Sequence, residues 1–226
     1  MVGDRTGGFS AASRARLTRH DLPRFSGNTL CDRIGRAVCE AGCLPRKELY
    51  EAWETARRVR RLFRGGRVVD LGGGHGLLAH VMLLLDDTSP EAVVVDKALP
   101  ASSVKLHETL VAAWPRLSGR IAFVEGSLDG FQLLSSDIVV SSHACGALTD
   151  RILARGAAAR ARVAVLPCCH DLDRGDDGGL AGWLEGPLAI DVVRAMGLAR
   201  QGYRIWTQAI PDRITPKNRL LLGAPR

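Results

Sequence analysis

The chain has 226 residues, 46% of them apolar, which is enough for one substantial core. No apolar run approaches the roughly 18 residues a membrane span needs and no secretory signal is evident, so a soluble cytoplasmic protein without membrane contact is expected. Cys31, Cys39, Cys43, Cys145, Cys168 and Cys169 are too few for a disulfide scaffold of this size; they read as reduced thiols. The formal charge of +7 comes largely from arginine, with lysine only at 47, 97, 105 and 217. Positive charge permits a phosphate-rich partner such as nucleic acid, though a GC-rich genome yields the same excess.

Residues 1–25 mix Gly, Ser and Arg without period and are expected to form a flexible basic arm. Residues 26–64 are expected to form a helical N-terminal extension. There, Leu30, Ile34, Ala37, Val38 and Ala41 recur at helical spacing, with Ser26 or Asn28 as candidate caps. Pro45 opens a second helix with a stripe of Leu49, Ala52, Trp53, Ala56 and Val59, which Gly65 and Gly66 end. From residue 65 to 226 strands and helices alternate. "RVVDLG", "EAVVVDKA", "RIAFVEG", "DIVVSS" and "RVAVLPCC" are predicted strands, and "YRIWTQAIP" with "NRLLLGAP" a final hairpin. Such alternation predicts an α/β fold with a mostly parallel sheet covered on both faces.

The strongest motif is "VVDLGGGHGLLAHV", in which Asp70 ends a strand and Gly72, Gly74 and Gly76 fill a turn before a helix. Such a turn lets a ligand approach the backbone and offers N–H donors at the helix start. The sixth position from Gly72 is Leu77, so the dinucleotide fingerprint G-x-G-x-x-G fails, and no P-loop lysine follows. The second strand ends in Asp96, 20 residues beyond Gly76, where a carboxylate can accept from both hydroxyls of a ribose.

Two further segments follow strands four and five: "SSHACGALTD" and "PCCH". The ligand side of an open α/β sheet is the carboxyl end of its strands, so the two clusters are expected to meet there. Four chemistries stay open. His143 or His170 could act as general base. A cysteine could add to a pyrimidine ring. Zinc could bind, although the short H-x-C and C-C-H spacings make a tetrahedral set awkward. Or the cysteines are simply small buried hydrophobes.

The glycine motif with Asp96 and the antiparallel ending resembles the Rossmann-like class I S-adenosylmethionine-dependent methyltransferases, over roughly residues 65–226. "SSHACGALTD" with "VLPCCH" is similar to the branch that includes the acceptor-stem tRNA 2′-O-methyltransferases and related methyltransferase-like proteins. The matching positions are His143, Cys145, Gly146, Thr149, Asp150, Cys168, Cys169 and His170. The resemblance implies S-adenosylmethionine as cofactor, with S-adenosylhomocysteine as product. It implies a cofactor site of Asp70, Gly72, Gly74, Gly76, Asp96, Lys97, Ser127, Leu128 and Ser141, and an acceptor wall of His143, Cys145, Cys168 and His170, with no metal expected. The acceptor it implies is RNA, including tRNA at a ribose hydroxyl. A small molecule or protein is the alternative acceptor, and a non-catalytic cofactor- or RNA-binding module the alternative of another class. The zinc-finger modules of the eukaryotic tRNA enzymes have no counterpart in residues 1–64, and the Asp/Asn-Pro-Pro-aromatic motif of amino-group transfer is missing. Lys47, Tyr50, Lys217 and Asn218 are read as plain helix-start and hairpin residues rather than pocket residues.

Overall fold

In a computed structural model, which describes residues 10–226, the β-branched runs form seven strands. They are β1 (Val68–Leu71), β2 (Ala92–Asp96), β3 (Ile121–Glu125), β4 (Ile138–Ser141), β5 (Arg162–Val165), β6 (Tyr203–Ala209) and β7 (Arg219–Pro225). They make one sheet of order β3-β2-β1-β4-β5-β7-β6. The first five pair in parallel, and β7 runs antiparallel between β5 and β6. This is the expected α/β, Rossmann-like sheet with its inserted final strand.

The helices are α1 (Leu30–Ala41), α2 (Arg46–Leu62), α3 (Leu77–Leu85), α4 (Ser102–Ala113), α5 (Ala147–Ala158) and α6 (Gly186–Arg200). Side chains alternate across the strands and so feed two cores. Val68, Ala92, Val94, Ile138 and Val140 join the core lined by α1 to α4. Val69, Val93, Val95, Val139 and Val163 join the core beneath α5 and α6. Each such valine or isoleucine contributes about 1.5–3 kcal/mol by burial, which accounts for strands that are apolar on both faces.

Residues 10–25 differ from the expected loose arm. Arg19–Phe25 form a 3₁₀ helix, Leu17 and Phe25 are buried, and the Leu17 N–H donates to the Leu44 carbonyl at 2.9 Å. Two apolar anchors, hidden among arginines, outweigh the polar character of the rest of the segment. Residues 1–9 of the expected arm lie outside the described residues. The cap of α1 is Thr29, whose side chain accepts from the Asp32 N–H, rather than Ser26 or Asn28.

The N-terminal helices share a core with the sheet, and α2 is also tied by charge to the end of α3. Arg60 and Asp86 are both almost fully buried, with Nη1 and Oδ2 at 3.1 Å, and Arg60 Nε donates to the Met82 carbonyl at 3.0 Å. Burial pulls the guanidinium down to about 10. Removing one partner leaves the other charge in a dry site. Arg60→Ala is therefore expected to cost about 3 kcal/mol in urea unfolding, whereas Arg61→Ala, on the exposed side of the same helix, should stay within about 0.5 kcal/mol. Equal losses would show that the ion pair does not anchor the helix.

Candidate active site

The parallel strands deliver their carboxyl ends to one edge of the sheet, and the strand order reverses between β1 and β4. At this switch point the turn after β1 takes positive φ at Gly72, Gly74 and Gly76. Below it Asp70 points into the core between β1 and α3. It is 1% exposed, and neither carboxylate oxygen has a hydrogen-bond partner. Burial pushes its carboxyl up to about 7, with a further rise from Asp96; the Ala79 amide opposes this without meeting hydrogen-bond geometry. A Cβ at Gly73 would lie 2.7 Å from Asp70 Cγ and 2.8 Å from Val94 Cγ1, so only glycine covers this carboxyl. Gly73 is not among the expected site glycines, because the motif leaves that position free. Gly74, by contrast, faces open space: a Cβ there would meet nothing within 4 Å.

Asp96 ends β2 beside this turn. Its Oδ2 accepts the Gly74 N–H at 2.9 Å, and its Oδ1 receives only a long contact of 3.4 Å from the Ala98 N–H. One oxygen thus holds the turn and the other keeps acceptor capacity. Lys97 next to it is exposed. Ser127, also exposed, accepts from the Asp129 N–H at 3.3 Å, and Leu128 is buried. Ser141, the last of the expected cofactor residues, ends β4. It is 1% exposed and its hydroxyl donates to the Leu71 carbonyl at 2.7 Å, tying the ends of β4 and β1 together.

The ends of β4 and β5 do meet. Cys145 and Cys168 place their sulfurs 2.9 Å apart, and the Gly146 N–H donates to the Cys169 carbonyl at 3.2 Å. Lys217 Nζ lies 3.7 Å from Cys169 Sγ. The Cys169 thiol is shifted down, chiefly by its hydrogen bond with Cys145 and also by Lys217, while burial pushes Cys168 up. His143 is exposed and lines a cavity of about 440 Å³ together with Cys168, Cys169, Lys47, Glu51 and Lys217. The plain expectation for Lys47 and Lys217 is therefore corrected: a helix start and a hairpin loop, remote in sequence, converge on this cavity. Asn218 keeps the plain role, donating to the Ile210 carbonyl at 3.0 Å.

His170 is turned elsewhere. Its Nε2 lies 2.7 Å from Asp191 Oδ1 and its side chain is 4% exposed. Asp191 also accepts from Arg194 and from Arg219 Nε, at 3.3 and 2.7 Å, and Arg194 grips Asp150 with two bonds of 2.7 and 3.0 Å. Thr149 donates to the Ala144 carbonyl at 2.7 Å. Thr149, Asp150 and His170 thus hold the loops in place, and their partners Asp191 and Arg194 carry no local motif that the sequence could have flagged.

Residues 48–174, more than half of the chain, match the family described as methyltransferase domain. The chain belongs to this family. Among solved structures it is similar to an O-methyltransferase family protein from Burkholderia thailandensis, with a TM-score of 0.53 and 18% identity over 92% of this chain and 63% of that one. It is also similar to the m1A22 tRNA methyltransferase TrmK of Bacillus subtilis, with a TM-score of 0.50 and 15% identity over 76% of this chain and 64% of that one. The chain thus spans less than two thirds of the length of either neighbour. None of the curated proteins is a detectable relative. Among the described residues no helix is long and apolar enough to cross a membrane.

A methyltransferase domain takes S-adenosylmethionine as methyl donor and leaves S-adenosylhomocysteine. The residues here fit that group. Gly74 leaves open backbone, Asp96 keeps one accepting oxygen, and a cofactor ammonium would supply the positive partner that the orphaned Asp70 lacks. The native carboxyl holds a proton that the unfolded chain, titrating near 3.9, releases. Cofactor-free stability should therefore fall as pH rises from about 4 to about 7, by on the order of 4 kcal/mol. Asp70→Asn should flatten that part of the profile in chemical denaturation. An unchanged slope would remove Asp70 from the titration.

Proposed function

We propose that this chain is an S-adenosylmethionine-dependent methyltransferase acting on RNA, with a ribose 2′-hydroxyl, including that of tRNA, as acceptor. The observation that carries the acceptor assignment is the placement of His143. It is an exposed imidazole on a cavity lined also by Arg14, Lys47 and Lys217 and by Glu48 and Glu51, in a chain of net charge +7. Cations there suit a phosphate backbone, and an imidazole suits proton removal from a hydroxyl near neutral pH. Methyl transfer is an in-line displacement in which the acceptor oxygen attacks the sulfonium methyl as the thioether leaves. Most of the rate is then expected from positioning. In this reading Asp96 holds the cofactor ribose, the glycine turn approaches its amino-acid end, and His143 takes the acceptor proton.

The test begins with S-adenosylhomocysteine calorimetry. Wild type should bind, and Asp96→Ala should weaken binding by about 10- to 100-fold, the worth of hydrogen bonds to a charged acceptor. Equal affinity would end the ribose role. His143→Ala should keep that affinity and lose turnover by about 10²- to 10⁴-fold; retained turnover would end its role as base. With radiolabelled cofactor and fractionated cellular RNA, protein and metabolites, label should enter RNA and persist in alkali-resistant dinucleotides, because methylation of a 2′-hydroxyl blocks alkaline cleavage. Label in a small-molecule or protein pool would overturn the RNA assignment.

A further inference from the structure

The three cysteines beyond β4 and β5 serve no step of the methyl transfer just described, yet they are gathered as no chain needs for packing alone. One ligand atom from each of Cys145, Cys168 and Cys169 lies within 4.8 Å of the other two, and this is the metal-competent cluster among the described residues. Neighbouring residues of an extended chain point to opposite sides. Cys168 and Cys169 instead bring both sulfurs to one point as the chain leaves β5. The backbone holds them there, since Cys169 bridges to Cys145 and accepts from the Gly146 N–H at 3.2 Å. The short spacings disfavour a metal only where one stretch must supply the whole ligand set. Here the set is divided between two strand ends, and the sheet register brings it together.

We propose that Cys145, Cys168 and Cys169 form a three-thiolate site for zinc or a similarly soft divalent ion, with its fourth position open to the His143 cavity. Zinc–sulfur bonds of about 2.3 Å put the sulfurs of a tetrahedron about 3.8 Å apart. A small rotation of the exposed Cys145 away from Cys168 meets that spacing. On binding, each thiol yields its proton to solvent, and three thiolates around a divalent ion leave one negative charge. Lys217, 3.7 Å from Cys169 Sγ, supplies the balancing positive charge. Two of the three ligands, Cys168 and Cys169, line the same cavity as His143, and we place the remaining coordination position on that side. Three protein ligands plus one open position is the arrangement of reactive zinc rather than of zinc that only staples a fold. A disulfide between Cys145 and Cys168 would use two of the thiols and leave the third and the lysine without purpose.

The site is tested on the full chain, reduced, stripped of metal and titrated with Co²⁺. Wild type is expected to take up about one equivalent with a sulfur-to-cobalt charge-transfer band and the intense visible bands of a tetrahedral ion, both lost when Zn²⁺ is added. Cys145→Ser, Cys168→Ser and Cys169→Ser should each weaken uptake by more than about tenfold. A Cys31→Ser, Cys39→Ser, Cys43→Ser variant, altered only in α1 and the loop after it, should keep the spectrum. Loss of the bands in that control variant, their absence in wild type, or a Cys145–Cys168 disulfide that forms in preference to metal uptake would overturn the site. S-adenosylhomocysteine calorimetry on the same samples separates this outcome from failure of the methyltransferase reading, because cofactor binding does not depend on the thiols.

Discussion

Asp70 is the constraint around which the rest of the molecule is arranged. Its carboxyl is enclosed between β1 and α3 and finds no hydrogen-bond partner, a cost that a folded chain retains only where the group has a use. Its roof is a glycine turn in which Gly73 leaves no room for a Cβ, and that turn is fastened by the Gly74 N–H to Asp96 on the neighbouring strand. Two carboxyls of adjacent strands are thereby coupled through one turn, at the point where the strand order reverses.

The other half of the active edge divides its polar residues between holding and facing. Arg194, almost fully buried, gathers Asp150 and Asp191, and Asp191 in turn holds His170 and Arg219. A buried charge is tolerated when it is paired, and here the pairing joins α5, α6, β7 and the loop after β5 into one unit. That unit leaves His143, Cys168 and Cys169 free to line the cavity. Histidines of similar local context thus end in different environments: one exposed on a cavity, one locked against a carboxylate.

The N-terminal helices belong to this edge as well as to the core. The start of α2 contributes Lys47 and Glu51, paired at 2.9 Å, to the wall opposite the cysteines. Glu51 is 2% exposed, and one of its oxygens remains without a partner. The segment read as an extension therefore forms part of the wall of the His143 cavity, so a chain lacking residues 26–64 would lose part of the cavity as well as part of the hydrophobic core.

While the insertion of the last strand between β5 and β6 is implied by the family resemblance, what the sequence determines by itself is the mostly parallel sheet, the final hairpin and the glycine turn with its two acids. These follow from local period and short spacing, so a few consecutive residues carry each signal: β-branched runs for strands, a glycine-filled turn after Asp70, a carboxyl where the next strand stops. The caps and the arm are less legible, because Thr29 competes with equally good cap residues nearby and Leu17 and Phe25 are thinly spread among arginines. Only the tertiary structure decided which histidine faces a cavity, and that three cysteines converge beside a lysine. Those outcomes depend on Asp191, Arg194 and Lys217, which are distant in sequence and arrive through the packing of α6 and the turn before β7; burial and pairing at that junction, rather than any local pattern, set what each side chain can do.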